Sequence, residues 1–119
     1  MSEKLQSKVE FILEMIDNIH YVVHKHKKIS LALEDIEGEA AVLMFLMQIG
    51  ETLNKAYKLD QELVLQYVDL EDIQGAYSVR NYIAHDYEGV DLAFVEEIVR
   101  TRIPHLQKGM KNFLEFLRN

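Results

Sequence analysis

The chain has 119 residues, of which 49% are hydrophobic, a formal net charge of −7 and no cysteine. That length suits one domain with a single core over residues 1–119, and the composition is that of a compact globule, not a disordered segment. The lack of cysteine excludes a disulfide framework and thiolate chemistry. The acidity excludes broad electrostatic adhesion to nucleic acid or anionic membrane, so any nucleic-acid contact has to be local.

The N-terminal MSEKLQSK reaches its apolar positions one at a time, and the longest apolar run, 40-AAVLMFLM-47, is far too short to cross a bilayer. No signal-peptide core, no membrane span and a cytoplasmic location are expected. With a single proline, Pro104, and no sustained alternation of β-branched and polar residues, the chain reads as all-α. The expected architecture is an antiparallel bundle of four to five helices.

Leu5, Val9, Ile12, Ile16, Ile19 and Val23 recur at steps of four and three, the seam of a helix over residues 3–27, roughly 37 Å long at about 1.5 Å per residue. Its end carries 24-HKHKK-28, cations placed where helix carbonyls leave partial negative charge. His20 and His24 stand one turn apart, but neighbouring lysines would repel a divalent ion and no carboxylate completes a ligand set. A solvated basic terminus is the better reading, and no metal or cofactor is expected.

A second helix should start within 30-SLALEDIEGE-39 and run to about Tyr57. It has two apolar stripes: Ile36, Ala40, Leu43, Met47, Gly50 and Tyr57 on one side, and Val42, Phe45, Leu46, Ile49 and Leu53 on the other. Two apolar sides need two partners, either a second subunit, most simply in a homodimer, or the same chain on both flanks. Glu51 follows Gly50, where a glycine admits another backbone and the carboxylate can orient a cation; helix packing with a solvent-facing carboxylate is the plainer alternative.

A short helix around 60-DQELVLQYV-68 and another from Asp69 or Asp72 to about Asp86 follow. Asp91 should cap the last helix, and Pro104 should kink or break it by removing a backbone donor and crowding the preceding turn. His105 shows no partner in the sequence.

The segment 80-RNYIAHDYEG-89 is the unusual one. Arg80 and Tyr87 fall on a repeat with Ile73, Ala76, Tyr77, Ile83 and Ala84, and an arginine in an apolar stripe needs either an anion or an ion-pair partner. Its planar fork suits phosphate. Five residues of helix rotate His85 by about 140° from Arg80, so the two converge only if the helix ends near His85 or if two copies of the segment face each other. The residues alone leave a structural Arg80–carboxylate pair and a functional site equally open.

The order Arg80, four residues, His85, one residue, Tyr87, after 49-IGE-51 and before 90-VD-91, resembles the HepT-like branch of the HEPN family. The likeness in helix order covers nearly the whole chain, and the specific motif is confined to residues 80–87. Relatives often carry a proline and an aromatic residue before the motif helix, where this chain has 67-YVDLEDI-73. The resemblance implies a dimeric helical bundle, an endoribonuclease toxin acting without metal, and a minimal nucleotidyltransferase antitoxin as partner. It implies that Arg80 and His85 are catalytic, that Asn81 is the supporting polar residue after the arginine, and that Tyr87 accepts AMP from the antitoxin. Non-toxic partners of nucleotidyltransferases carry a similar signature, so the resemblance also implies an alternative: a non-catalytic subunit that binds substrate or docks the nucleotidyltransferase.

Overall fold

The computed structural model describes residues 2–119, and among them there are helices and turns but no strand. Helix α1 spans Ser2–Lys25 and buries Leu5, Val9, Ile12, Met15, Ile16 and Ile19 along the expected seam. It ends where Lys27 takes a positive φ of 77°, a left-handed residue that stops the helical ladder.

The expected second helix begins at Ile36, inside the expected window, and a separate short helix precedes it. α2 (Ile29–Glu34) stops at Asp35, whose extended backbone turns its carboxylate back to accept from the Gly38 N–H at 2.8 Å, and α3 (Ile36–Leu59) starts there. A short acidic side chain that caps the next helix competes with continuing the previous one. Ile36, at the first position of α3, is 85% exposed, so it drops out of its expected stripe.

Both apolar sides of α3 are covered by the same chain. α1 packs on one flank and α5 on another, with Val42, Leu43, Leu46, Ile49 and Leu53 buried between them. The two stripes therefore do not require a second subunit, because the central helix of a bundle is apolar on several sides. Met44 is the main apolar exposure left along α3 beyond its first turn.

α4 (Gln61–Leu65) is a short connector capped by Asp60, whose carboxylate accepts from the Leu63 N–H at 3.1 Å. α5 (Leu70–His85) is followed by a single 3-10 turn, Tyr87–Gly89. Asp91 caps α6 (Leu92–Glu97) as expected, accepting from the backbone of Ala93 and Phe94.

α6 passes through a π-helical turn, Ile98–Arg102, into α7 (Ile103–Arg118), with Pro104 in the first turn of α7. Proline has no N–H to donate and its ring crowds the turn before it. The wider π turn, closed by the Ile103 N–H to the Ile98 carbonyl, makes room for both. The interruption therefore falls just ahead of the proline. α7 returns to the core through Leu106, Met110 and Phe113; Tyr67 stacks on Phe113 at 4.7 Å, and Arg118 pairs with Glu10 of α1 at 3.0 Å. The result is an all-α bundle of four long helical rods, α1, α3, α5 and the α6–α7 rod, with α2 and α4 as short links. None of the helices is long and apolar enough to cross a membrane.

Candidate functional site

α5 buries only Ile73 and Ile83 fully, and it is held mainly by its crossing with α3. The crossing is tight at Gly50. A Cβ built there would lie 2.4 Å from the Ala76 carbonyl oxygen and 2.8 Å from the Arg80 Cβ, so α5 sits closer to α3 than any side chain at position 50 would permit.

That closeness sets the geometry of the next residue along. Glu51 lies beside Arg80, with its Oε2 3.0 Å from the arginine Nε, and Lys55 approaches the other carboxylate oxygen at 3.8 Å. Arg80 also donates from Nη1 to the Asn81 Oδ1 at 3.0 Å, and its guanidinium stands 5.9 Å from the centre of the Tyr77 ring. The arginine of the apolar stripe thus has the carboxylate partner that the sequence left open. Lys55, Glu51 and Arg80 together carry one net positive charge on an acidic protein. Nη2 of Arg80 has no partner among the described residues, and the side chain is partly exposed.

His85 is the last residue of α5 and is exposed, with no hydrogen bond or ion pair among the described residues. The helix stops because Asp86 leaves the helical conformation while its N–H still donates to the Tyr82 carbonyl. The following loop is fastened to α5: the Asp91 N–H donates to the Tyr82 hydroxyl at 2.8 Å, and Phe94 meets the Tyr82 ring edge-on at 6.0 Å. Tyr87 sits in this fastened turn, 45% exposed, and its own hydroxyl makes no hydrogen bond among the described residues. It lies beyond the end of α5, off the helical repeat that carries Arg80. Ala84, expected on the inward stripe, is exposed.

Within one protomer no hydrogen bond or ion pair joins Arg80 to His85. The helix does end at His85, the first of the two conditions under which they can converge. A sizeable opening lies elsewhere. A cleft of about 680 Å³ runs between α5 and the α6–α7 rod, walled by Leu46, Ile49, Val79, Phe94, Ile98 and Leu106. Neither Arg80 nor His85 lines it, so it is not the seat of their chemistry. One charged cluster escaped the sequence reading: His105 faces Asp69 and Asp72 at the opposite end of α5. The two aspartates stand three residues apart at the start of α5, but nothing in the sequence brings α7 to them.

A family model described as Ribonuclease HepT-like matches residues 12–113, nearly the whole chain. No curated protein and no solved structure matches it. The chain belongs to the HepT-like ribonuclease family.

Proposed function

We propose that this HepT-like chain is the ribonuclease toxin of a toxin–antitoxin pair, a single-domain cytoplasmic protein that cleaves RNA without a metal ion at the Arg80–His85 end of α5. The observation that carries the reading is an exposed histidine with no partner at the end of a helix whose arginine is braced but not used up. Glu51 and Asn81 engage Nε and Nη1, which leaves Nη2 and the outer edge of the fork for an anion.

The reaction follows from those groups. A ribose 2′-hydroxyl loses its proton to a base, its oxygen bonds to the adjacent phosphorus, and the P–O5′ bond breaks as an acid protonates the departing 5′-oxygen. The products are a 2′,3′-cyclic phosphate and a 5′-hydroxyl. Histidine suits both proton transfers, because its ordinary pKa of about 6.5 is close to neutral. Arg80 donates to the phosphorane oxygens as their charge builds, and Glu51 and Asn81 are positioning residues that fix its fork. Lys55 adds local positive charge near the same place.

One cleft needs two histidines if one is base and the other acid, which a two-fold homodimer supplies. The stripe of α5 that borders the cleft at Glu71, Gly75 and Ser78 suits such a contact. Glu71, Gly75, Ser78 and His85 are exposed along it, and Gly75 has open space where a Cβ would point, although glycine within a helix costs about 1 kcal/mol relative to alanine. No contact inside the protomer explains that glycine; close approach of a second α5 would. Tyr87, with its free hydroxyl on a fastened turn beside His85, is the residue to which a nucleotidyltransferase antitoxin would transfer AMP.

The test is cleavage of RNA by the purified chain, with His85→Ala and Arg80→Ala each expected to lower the rate by at least 100-fold while leaving a folded protein. Wild-type cleavage in both variants would end the catalytic assignment. A second reading is favoured by the net charge of −7 and by the carboxylate already beside Arg80: a non-catalytic subunit that binds substrate or docks a nucleotidyltransferase. On that reading the wild-type chain binds its partner and cleaves nothing.

A further inference from the structure

At the far end of α5 from His85, the geometry points to a zinc site formed by Asp69, Asp72 and His105, joining the start of α5 to the first turn of α7. One donor atom from each residue lies within 4.8 Å of the other two. The His105 Nε2 is 3.3 Å from the Asp72 Oδ2 and 3.5 Å from the Asp69 Oδ2, and neither approach forms a hydrogen bond. Those separations lie in the ion-pair range and are also close to the edges of a coordination polyhedron. A tetrahedral ion with bonds of about 2.0–2.1 Å has ligand atoms about 3.3–3.4 Å apart. Only the edge between the two aspartates has to adjust, and the Asp69 side chain, 75% exposed, is free to rotate.

Two further observations favour a ligand over a chance cluster. The Asp72 side chain is only 7% exposed; Arg102 holds its Oδ1, while its Oδ2 faces the histidine at ion-pair distance. An outer partner that fixes one carboxylate oxygen and leaves the other for the ion is the usual support of a metal ligand. Asp69 has the extended backbone of an N-cap residue but makes no capping hydrogen bond, whereas Asp35, Asp60 and Asp91 all cap their helices with their side chains. Its carboxylate is turned toward His105 and away from the backbone donors of α5.

Two carboxylates and one imidazole are hard and borderline donors, a set that takes Zn²⁺ with water in the fourth position. Arg102 and the positive end of the α5 dipole both oppose a cation, so the ion is held less tightly than these donors alone would hold it. The site lies roughly 20 Å along α5 from His85, at about 1.5 Å per residue, so its role is to clamp α5 to α7 and not to act on RNA. It does not depend on the ribonuclease reading.

Equilibrium dialysis of the full chain against ZnCl₂ is expected to give one ion per protomer, and thermal unfolding is expected to shift upward with Zn²⁺. His105→Ala and Asp69→Asn both change exposed side chains, so both should fold; each is expected to lose at least tenfold in affinity, together with the thermal shift. A variant with His20, His24 and His26 all changed to alanine controls for adventitious binding at the basic end of α1 and should bind as the wild type does. Absence of stoichiometric binding at 100 μM Zn²⁺, binding that persists in His105→Ala, or binding lost with the three N-terminal histidines would each overturn the assignment.

Discussion

Replacing Gly50 with alanine tests whether the α3–α5 crossing sets the position of Arg80. The added methyl would sit 2.4 Å from the Ala76 carbonyl oxygen and 2.8 Å from the Arg80 Cβ, where ordinary contact needs about 3.4 Å or more. The nearest obstacle is backbone, so α5 must move outward by roughly 1 Å and cannot simply rotate a side chain. Overpacking of this kind costs about 1–3 kcal/mol, and the better helix propensity of alanine returns about 1 kcal/mol. A net loss of about 0–2 kcal/mol corresponds to a fall in melting temperature of up to roughly 8 °C for a chain of this size. Because Glu51 is on α3 and Arg80 on α5, the same shift pulls the pair apart and moves the guanidinium relative to His85's substrate. An error of about 1 Å in a reacting geometry lowers rate by about 100-fold. Calorimetry and single-turnover RNA cleavage on the same preparation read the two effects separately. A variant that melts above the wild-type temperature would refute the tight crossing, and one that keeps its fold yet cleaves normally would refute its link to Arg80.

Cleavage should persist in EDTA, because no ligand set surrounds Arg80 and His85, even though the chelator would strip any ion from Asp69, Asp72 and His105; activity lost in EDTA and restored by Mg²⁺ would reverse this. Gly75→Glu should keep the protomer folded, since its site is open, yet shift sedimentation from dimer to monomer by setting like charges against each other across a two-fold axis; a monomeric wild type at micromolar concentration would remove the basis of the shared cleft. Co-expression with a cognate nucleotidyltransferase should add about 329 Da per AMP, the mass set by nucleotide chemistry, and Tyr87→Phe should abolish the addition. Adduct on another residue would move the modification away from the fastened turn.

The first rod was legible because it buries one stripe at helical spacing: the α1 seam from Leu5 to Ile19 is the core face in the structure, and the aspartate at 91 caps where a short acidic side chain before an apolar run should. The break at Asp35 was not. In 34-EDIEGE-39 every acidic residue fits the first turn of a helix, and only the backbone of Asp35 reveals which one is the cap. The apolar breadth of α3 was visible, but its meaning was not, since a helix enclosed by its own chain and one shared with another subunit need the same residues. Periodicity reports how much of a surface is dry, and it does not say who covers it.

The candidate site divides along the same line. Arg80 was conspicuous because a cation on an inward stripe conflicts with its surroundings, and such conflicts are where function or pairing is to be sought. Glu51 was traceable only as the polar neighbour of a helix glycine, and the structure supplies the reason: Gly50 permits the close crossing that brings the carboxylate to the guanidinium. The His105 cluster had no comparable signal, because its aspartates and histidine belong to segments that meet only when α7 folds back past the start of α5. Their convergence depends on the turn at Ile98–Arg102, where the π geometry displaces everything beyond it relative to a regular helix. A proline in the sequence announces that a helix must adjust; whether the chain adjusts by stopping, kinking or widening decides which side chains then meet. Here the widening keeps the rod continuous and presents Arg102 and His105 to the same aspartate, so a local backbone constraint in one helix fixes the charge environment of another.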